Sequence, residues 1–239
     1  EIVSRDWSSD VCSSDLNVTL VGTGGGLVPD ITIHPLSLTY NGLLRMSNSE
    51  VGFNVSYSRN FFQGGNDGAD SDFKRSRADA TADYRIWRVG ANFTRAFAQD
   101  WQFRTVVTGQ FSEDALVAGE QFGYGGPDSV RGFNIREIAN DKGYAAQVEV
   151  YTPDLGAKYN WPDVKMRLLG FYDVGMTGRN SLQPGDLSKG AGGASVGFGA
   201  RMGYGKHLTM RLDWANVIDS AGNQAKNDQM VNVTVAVQF

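Results

Sequence analysis

Arg131 is the single cation in Gly125-Gly126-Pro127-Asp128-Ser129-Val130-Arg131-Gly132-Phe133. Glycines and a proline break strand and helix alike, so this stretch reads as a loop. A cation set between Val130 and a Gly132-Phe133 pair has two readings. It can stand in solvent after a turn, as most arginines do. Alternatively the loop folds inward, and a buried guanidinium then needs an anion. The candidate anion is Asp173, in Phe171-Tyr172-Asp173-Val174-Gly175. A carboxylate there can simply be hydrated. Bound bidentately to arginine it would make hydrogen bonds roughly twice as strong as neutral ones.

Other chemistries find little support. Gly22-Thr23-Gly24-Gly25-Gly26 has no following Lys-Ser/Thr and opens no helix, so it is not a phosphate loop. His34 and His207 are solitary and lack ligand spacing. No serine or cysteine nucleophile lies in a recognisable setting. Neither an enzyme, a metal site nor a cofactor is expected. A net charge of −4 over 239 residues is too mild to suggest nucleic-acid binding.

The elements that must position Arg131 and Asp173 read as strands. Period-two alternation runs through Leu36–Tyr40, Val51–Tyr57, Trp87–Phe93, Trp101–Val107, Ala146–Val150, Val164–Asp173, Val196–Met202, Leu208–Trp214 and Val231–Phe239. Connections alternate long and short. In an up-and-down antiparallel sheet this gathers long loops at one end and tight turns at the other, as in outer-membrane barrels. Alternation alone does not separate a membrane barrel, with apolar faces to lipid, from a soluble sandwich, with apolar faces inward.

Several details favour the barrel. No mid-strand apolar position carries Arg or Lys, which would cost roughly 2–4 kcal/mol at a bilayer midplane. Trp101, Tyr151, Trp161, Tyr204 and Phe239 fall at the short-turn end, as an aromatic girdle would. The polar face, carrying Arg88, Arg104, Gln147, Glu149, Arg167 and Arg211, then lines a wet lumen. Asp173 lies on that face with Leu169 and Phe171. Gln63 to Asp83 reads as a solvated extracellular loop. The fold class is all-β, a transmembrane antiparallel barrel. A mean hydropathy of −0.31 does not oppose this, because alternating strands average out.

Val130-Arg131-Gly132-Phe133 resembles the VRGF/Y loop motif of the outer-membrane protein assembly and translocation superfamily. Phe171, Asp173 and Gly175 resemble its FxDxG strand motif. Gly125-Gly126-Pro127-Asp128-Ser129 before the loop motif, and Gly143 opening the Glu149-bearing strand after it, are similar to the two-partner secretion transporters of the ShlB/FhaC/HecB haemolysin secretion/activation type. The resemblance covers about residues 17–239. It implies that Arg131 and Asp173 pair inside the barrel. It also implies a bacterial outer-membrane translocator that exports a large haemolysin- or adhesin-type exoprotein, unfolded and without cofactor. The family barrel has sixteen strands behind two periplasmic domains, and this chain would hold roughly the last ten strands. A barrel-assembly insertase of the same superfamily shares both motifs, and a passive porin is the further alternative.

Residues 1–16 have neither strand nor helix period and read as a non-native or disordered leader, leaving 17–239 as the barrel domain. The one cysteine, Cys12, falls in that leader. Phe239 after Val233, Val235 and Val237 fits an outer-membrane targeting signal, read by strand pairing with the barrel-assembly machinery. The expected partners are therefore an exoprotein, outer-membrane lipid and that machinery.

Overall fold

The computed structural model describes residues 2–4, 31–61, 67–186 and 188–238. The Gly22–Gly26 run, Cys12 and the Phe239 signal lie outside the described residues. The strands are β1 (Ile2–Ser4), β2 (Pro35–Arg45), β3 (Ser49–Asn60), β4 (Arg85–Ala96), β5 (Gln102–Phe111), β6 (Phe122–Tyr124), β7 (Ile138–Asn140), β8 (Lys142–Tyr151), β9 (Val164–Gly178), β10 (Gly190–Tyr204), β11 (Leu208–Asp219) and β12 (Gln229–Val237). Two short helices are α1 (Asp70–Ser76) and α2 (Leu155–Lys158).

Ten strands form one antiparallel sheet in the order β1-β2-β3-β4-β5-β8-β9-β10-β11-β12. It is a meander with one excursion, between β5 and β8, which carries the separate hairpin β6–β7. β1, within the expected leader, pairs with β2 through Ile2↔Leu44. The register puts like with like across the sheet. Arg88 faces Gln110, Arg104 faces Glu149, and Gln147 faces Asp173. Directly opposed residues share a face, so the polar positions of successive strands form one continuous wall.

Burial decides between the two readings of that alternation. The apolar face is open: Leu38 is 55% exposed, Phe198 62% and Val233 57%. The polar face is covered where the inserted loop meets it, with Glu149 2% and Asp173 0% exposed. A sandwich would show the reverse. An apolar exterior around a polar interior is the arrangement of a membrane barrel, here in part. No helix among the described residues is long and apolar enough to cross a membrane, which says nothing of strands.

Loops at the long end cover part of the polar wall. Residues 67–84 are not simply a solvated loop, as their composition suggests. Phe73 of α1, Ala80, Ala82 and Tyr84 are buried with Ile86, Leu116 and Val117 in an apolar cluster. The polar residues around Phe73 conceal this because only one face of α1 is apolar. Arg77, just after α1, pairs with the fully buried Asp141. The expected girdle also loses one member. Tyr151 faces Leu169 on the polar wall, and its hydroxyl donates to Glu149 Oε2 at 2.8 Å. It shares the parity of Gln147 and Glu149, so a place at the short-turn end is not enough to put it in the girdle. Trp101, Trp161 and Tyr204 are exposed.

Candidate functional site

The wall of the site is built by period two. Phe171, Asp173 and Gly175 occupy alternate positions of β9 and so point to one face. Across the sheet they oppose Glu149, Gln147 and Ala145 of β8, and Gly197, Ser195 and Gly193 of β10. Gly175 is a required clearance. The Tyr124 ring of the β6–β7 hairpin lies over it, and a Cβ at Gly175 would come within 2.6 Å of that ring.

The loop is folded to drive one side chain into this wall. The Gly126 N–H donates to Phe133 O at 3.0 Å, and the Ser129 N–H to Gly126 O at 3.2 Å, closing a tight double turn. Gly132 has φ +92°, a conformation that other residues rarely adopt. Val130 and Phe133 on either side are fully buried. They pack with Tyr124, Ile138, Ala145 and Val217, Phe133 meeting Tyr124 edge-on at 6.1 Å between ring centroids. The apolar pair thus seats the loop, and Arg131 projects between its members' flanks.

Arg131 is 0% exposed. Its Nε donates to Asp173 Oδ2 at 2.6 Å and its Nη2 to Asp173 Oδ1 at 2.8 Å. Its backbone N–H also reaches Asp173 Oδ2, at 3.1 Å. Nη1 donates to Glu149 Oε1 at 2.8 Å and approaches Asp213 Oδ1 at 3.4 Å. The guanidinium carbon lies 3.5 Å from the Phe171 ring centroid, a cation–π contact. Burial disfavours the charge on Arg131. The hydrogen bonds and charge of Asp173, followed by Glu149 and Asp213, outweigh that and raise its pKa above the ordinary arginine value. It therefore stays cationic at any accessible pH.

Three carboxylates around one cation would leave the wall negative. Two further arginines restore balance. Arg104 Nη1 donates to Glu149 Oε2 at 2.7 Å, and Arg201 Nη2 lies 2.8 Å from Asp213 Oδ1. Arg131, Arg104 and Arg201 thus meet Glu149, Asp173 and Asp213 one for one. Removing one member of such a buried set typically costs about 3–5 kcal/mol, because a charge is left without a partner.

Of the residues singled out in the sequence, Val130, Arg131, Gly132, Phe133, Phe171, Asp173, Gly175, Arg104 and Glu149 converge here. Gln147 is buried beside them, opposite Asp173. Arg88 lies elsewhere on the wall, bound to Gln110 Oε1 at 2.9 Å and Glu120 Oε2 at 2.6 Å. Arg167 and Arg211 sit nearer the short-turn end, on Asp100 and Asp128 respectively. The sequence reading did not single out Asp213 or Arg201 for the site. Both share the parity of the polar face, which was the available signal. It also missed Tyr124 and Asp141. Among the described residues no group of three or more His, Cys, Asp or Glu side chains is placed to hold a metal ion.

The arrangement is a set of ion pairs. It holds a loop against the inner wall of a partial barrel, which defines a barrel protein with an inserted loop. Residues 28–200 match the family of haemolysin secretion/activation proteins ShlB/FhaC/HecB, and the chain belongs to that family. Among solved structures, CdiB from Escherichia coli superposes with a TM-score of 0.71 at 22% identity, covering 88% of this chain and 37% of that one. CdiB from Acinetobacter baumannii gives a TM-score of 0.61 at 19% identity, covering 86% and 33%. At these identities the likeness is one of fold, and the chain spans only about a third of the length of either. A comparison with curated proteins gives no match.

Proposed function

We propose that this chain is barrel wall and inserted loop of a bacterial outer-membrane translocator of two-partner secretion, exporting a large haemolysin- or adhesin-type exoprotein. The observation that carries the reading is the burial of Arg131 at a loop tip, on carboxylates from β8, β9 and β11. A loop fixed this firmly inside a barrel occupies the route a polypeptide would take. The Arg131–Asp173 pair keeps it in the conformation needed for transport. The exposed apolar face supports contact with outer-membrane lipid. The β12 edge, with Phe239 beyond it, is the segment that the barrel-assembly machinery would pair with. Export of an unfolded chain through such a wall needs no cofactor.

The test is secretion of the partner exoprotein by the full-length parent, with and without Asp173→Ala, at matched outer-membrane levels of transporter. Export that needs the parent and falls in the variant is the expected result. Export that never depends on the parent removes the translocator reading and leaves the insertase or the porin.

A further inference from the structure

Arg167, Arg201 and Arg211 lie in direct cross-strand register on β9, β10 and β11. Like charges set directly opposite one another destabilise a sheet, so a ladder of three arginines needs an explanation. They sit on the polar wall toward the short-turn end, the periplasmic end of an outer-membrane barrel. Two clefts of about 560 and 300 Å³ run along the ladder and share Arg201 and Arg211.

What already occupies the ladder indicates its chemistry. Arg211 Nη1 donates to the Asp128 carboxylate at 2.8 Å and Nη2 to the neighbouring Pro127 carbonyl at 3.3 Å. Arg167 Nη2 donates to the Asp100 carboxylate at 2.6 Å and Nη1 to the Asp100 carbonyl at 2.9 Å. Both outer arginines therefore hold an acidic residue's carboxylate and a main-chain carbonyl of its segment, and Arg167 Nη1 donates to the Thr152 carbonyl at 2.8 Å as well. The two acids face solvent: the Asp128 side chain is 82% exposed and the Asp100 side chain 51%, although Asp100 Oδ2 also accepts the Asp154 N–H at 3.3 Å. The middle arginine, Arg201, is committed to Asp213. Asp154, the remaining carboxylate of the larger cleft, accepts from the Gly156 and Met166 N–H groups.

We propose that this ladder is a reception strip for acidic segments of the exported polypeptide, which displace Asp128 and Asp100 and take over their carboxylate-plus-carbonyl contacts. The inference rests on the translocator reading and adds the chemistry of the segment received. Attraction from an arginine strip in a confined lumen would concentrate such segments at the entrance and weaken with salt.

The experiment uses the full-length parent in planar bilayers. The probes are two peptides of equal length, one with repeated Asp-Gly-Ser and one with repeated Lys-Gly-Ser, added from the periplasmic side. The acidic peptide is expected to block the current and the basic one not. Arg167→Gln/Arg211→Gln should raise the half-blocking concentration by about ten-fold, the effect of losing two partly solvated charge contacts. Asp128→Ala should lower it several-fold by clearing Arg211. Arg211→Lys keeps the charge and should retain part of the block, which separates lost recognition from a damaged barrel. Equal block by both peptides, or unchanged block in both the Gln and the Ala variants, overturns the inference. Parent-dependent secretion measured alongside keeps the two readings apart. Secretion with no acidic preference removes only the strip, whereas no secretion removes the translocator.

Discussion

The guanidinium and the backbone amide of Arg131 converge on the same carboxylate, Asp173, whose Oδ2 accepts from both. The side chain and the main chain of the loop tip are therefore fixed by one residue of the wall. Arg131→Lys keeps the charge but has no fork to match the two oxygens. It is expected to loosen the loop by about 1–3 kcal/mol, the scale of a charge-assisted hydrogen bond. Limited proteolysis within residues 112–141 in outer-membrane vesicles reads this directly. Protection as complete as in the wild type would show that the fork is dispensable.

Gly175 and Tyr124 give a packing test independent of charge. Gly175→Ala sets a methyl group against the ring, and overpacking of this kind costs about 1–3 kcal/mol. Tyr124→Ala in the same chain opens the space again and should recover loop protection lost in the single variant. A double-mutant cycle on thermal unfolding in detergent measures the coupling. Strictly additive effects would mean that the ring and the glycine do not meet.

Glu137 predicts an acid-sensitive contact at the long-loop end. Burial pushes its carboxyl up. The Asn134 and Asn223 N–H groups, with the Gln224 and Asn134 side-chain amides, outweigh that and hold it below the ordinary glutamate value. A folded pKa lower than the unfolded one gives stability that is complete above the unfolded pKa, about 4.3. That stability is lost as pH falls through the lower folded value. The protection of the Asn223 amide, measured against its intrinsic exchange rate at each pH, should therefore fall only at pH below about 4, and Glu137→Gln should abolish the transition. An amide with the same protection factor at pH 3 and pH 7 would contradict the assignment.

The strands were legible because a half-covered sheet imposes period two on its sequence, and the Val231–Val237 alternation or the Phe171–Gly175 motif carries that signal in a few residues. Arg131 and Asp173 were legible as candidate partners, but the residues alone left a solvated arginine and a hydrated carboxylate open, and the resemblance of the two motifs supplied the pairing. Asp213 and Arg201 were not, since on a polar wall any carboxylate or arginine is unremarkable until the register places it. Residues 67–84 failed differently: one buried phenylalanine among charges has no period, and its cover comes from Leu116, far along the chain.

Asp141 supplies the last test, because it joins three loops that the sequence treats as separate. Its Oδ1 accepts the Leu116 N–H at 2.8 Å and its Oδ2 accepts the Asn180 N–H at 2.7 Å and Arg77 Nη2 at 3.0 Å. The carboxylate is fully buried, while the Arg131 site is served by other acids. Asp141→Ala removes the charge that Arg77 needs and leaves the buried Leu116 N–H and the part-buried Asn180 N–H without their acceptor, a loss of about 3–5 kcal/mol. Asp141→Asn keeps the volume but turns an amide donor toward donors, and should cost nearly as much. Both variants are expected to speed hydrogen exchange in residues 67–84, 112–118 and 179–186 together. The Arg131 amide should stay protected, since its carboxylate is Asp173. Exchange that quickens in only one of the three segments would show that Asp141 braces a single loop, and loss of protection at Arg131 would show that the two sites are one cooperative unit.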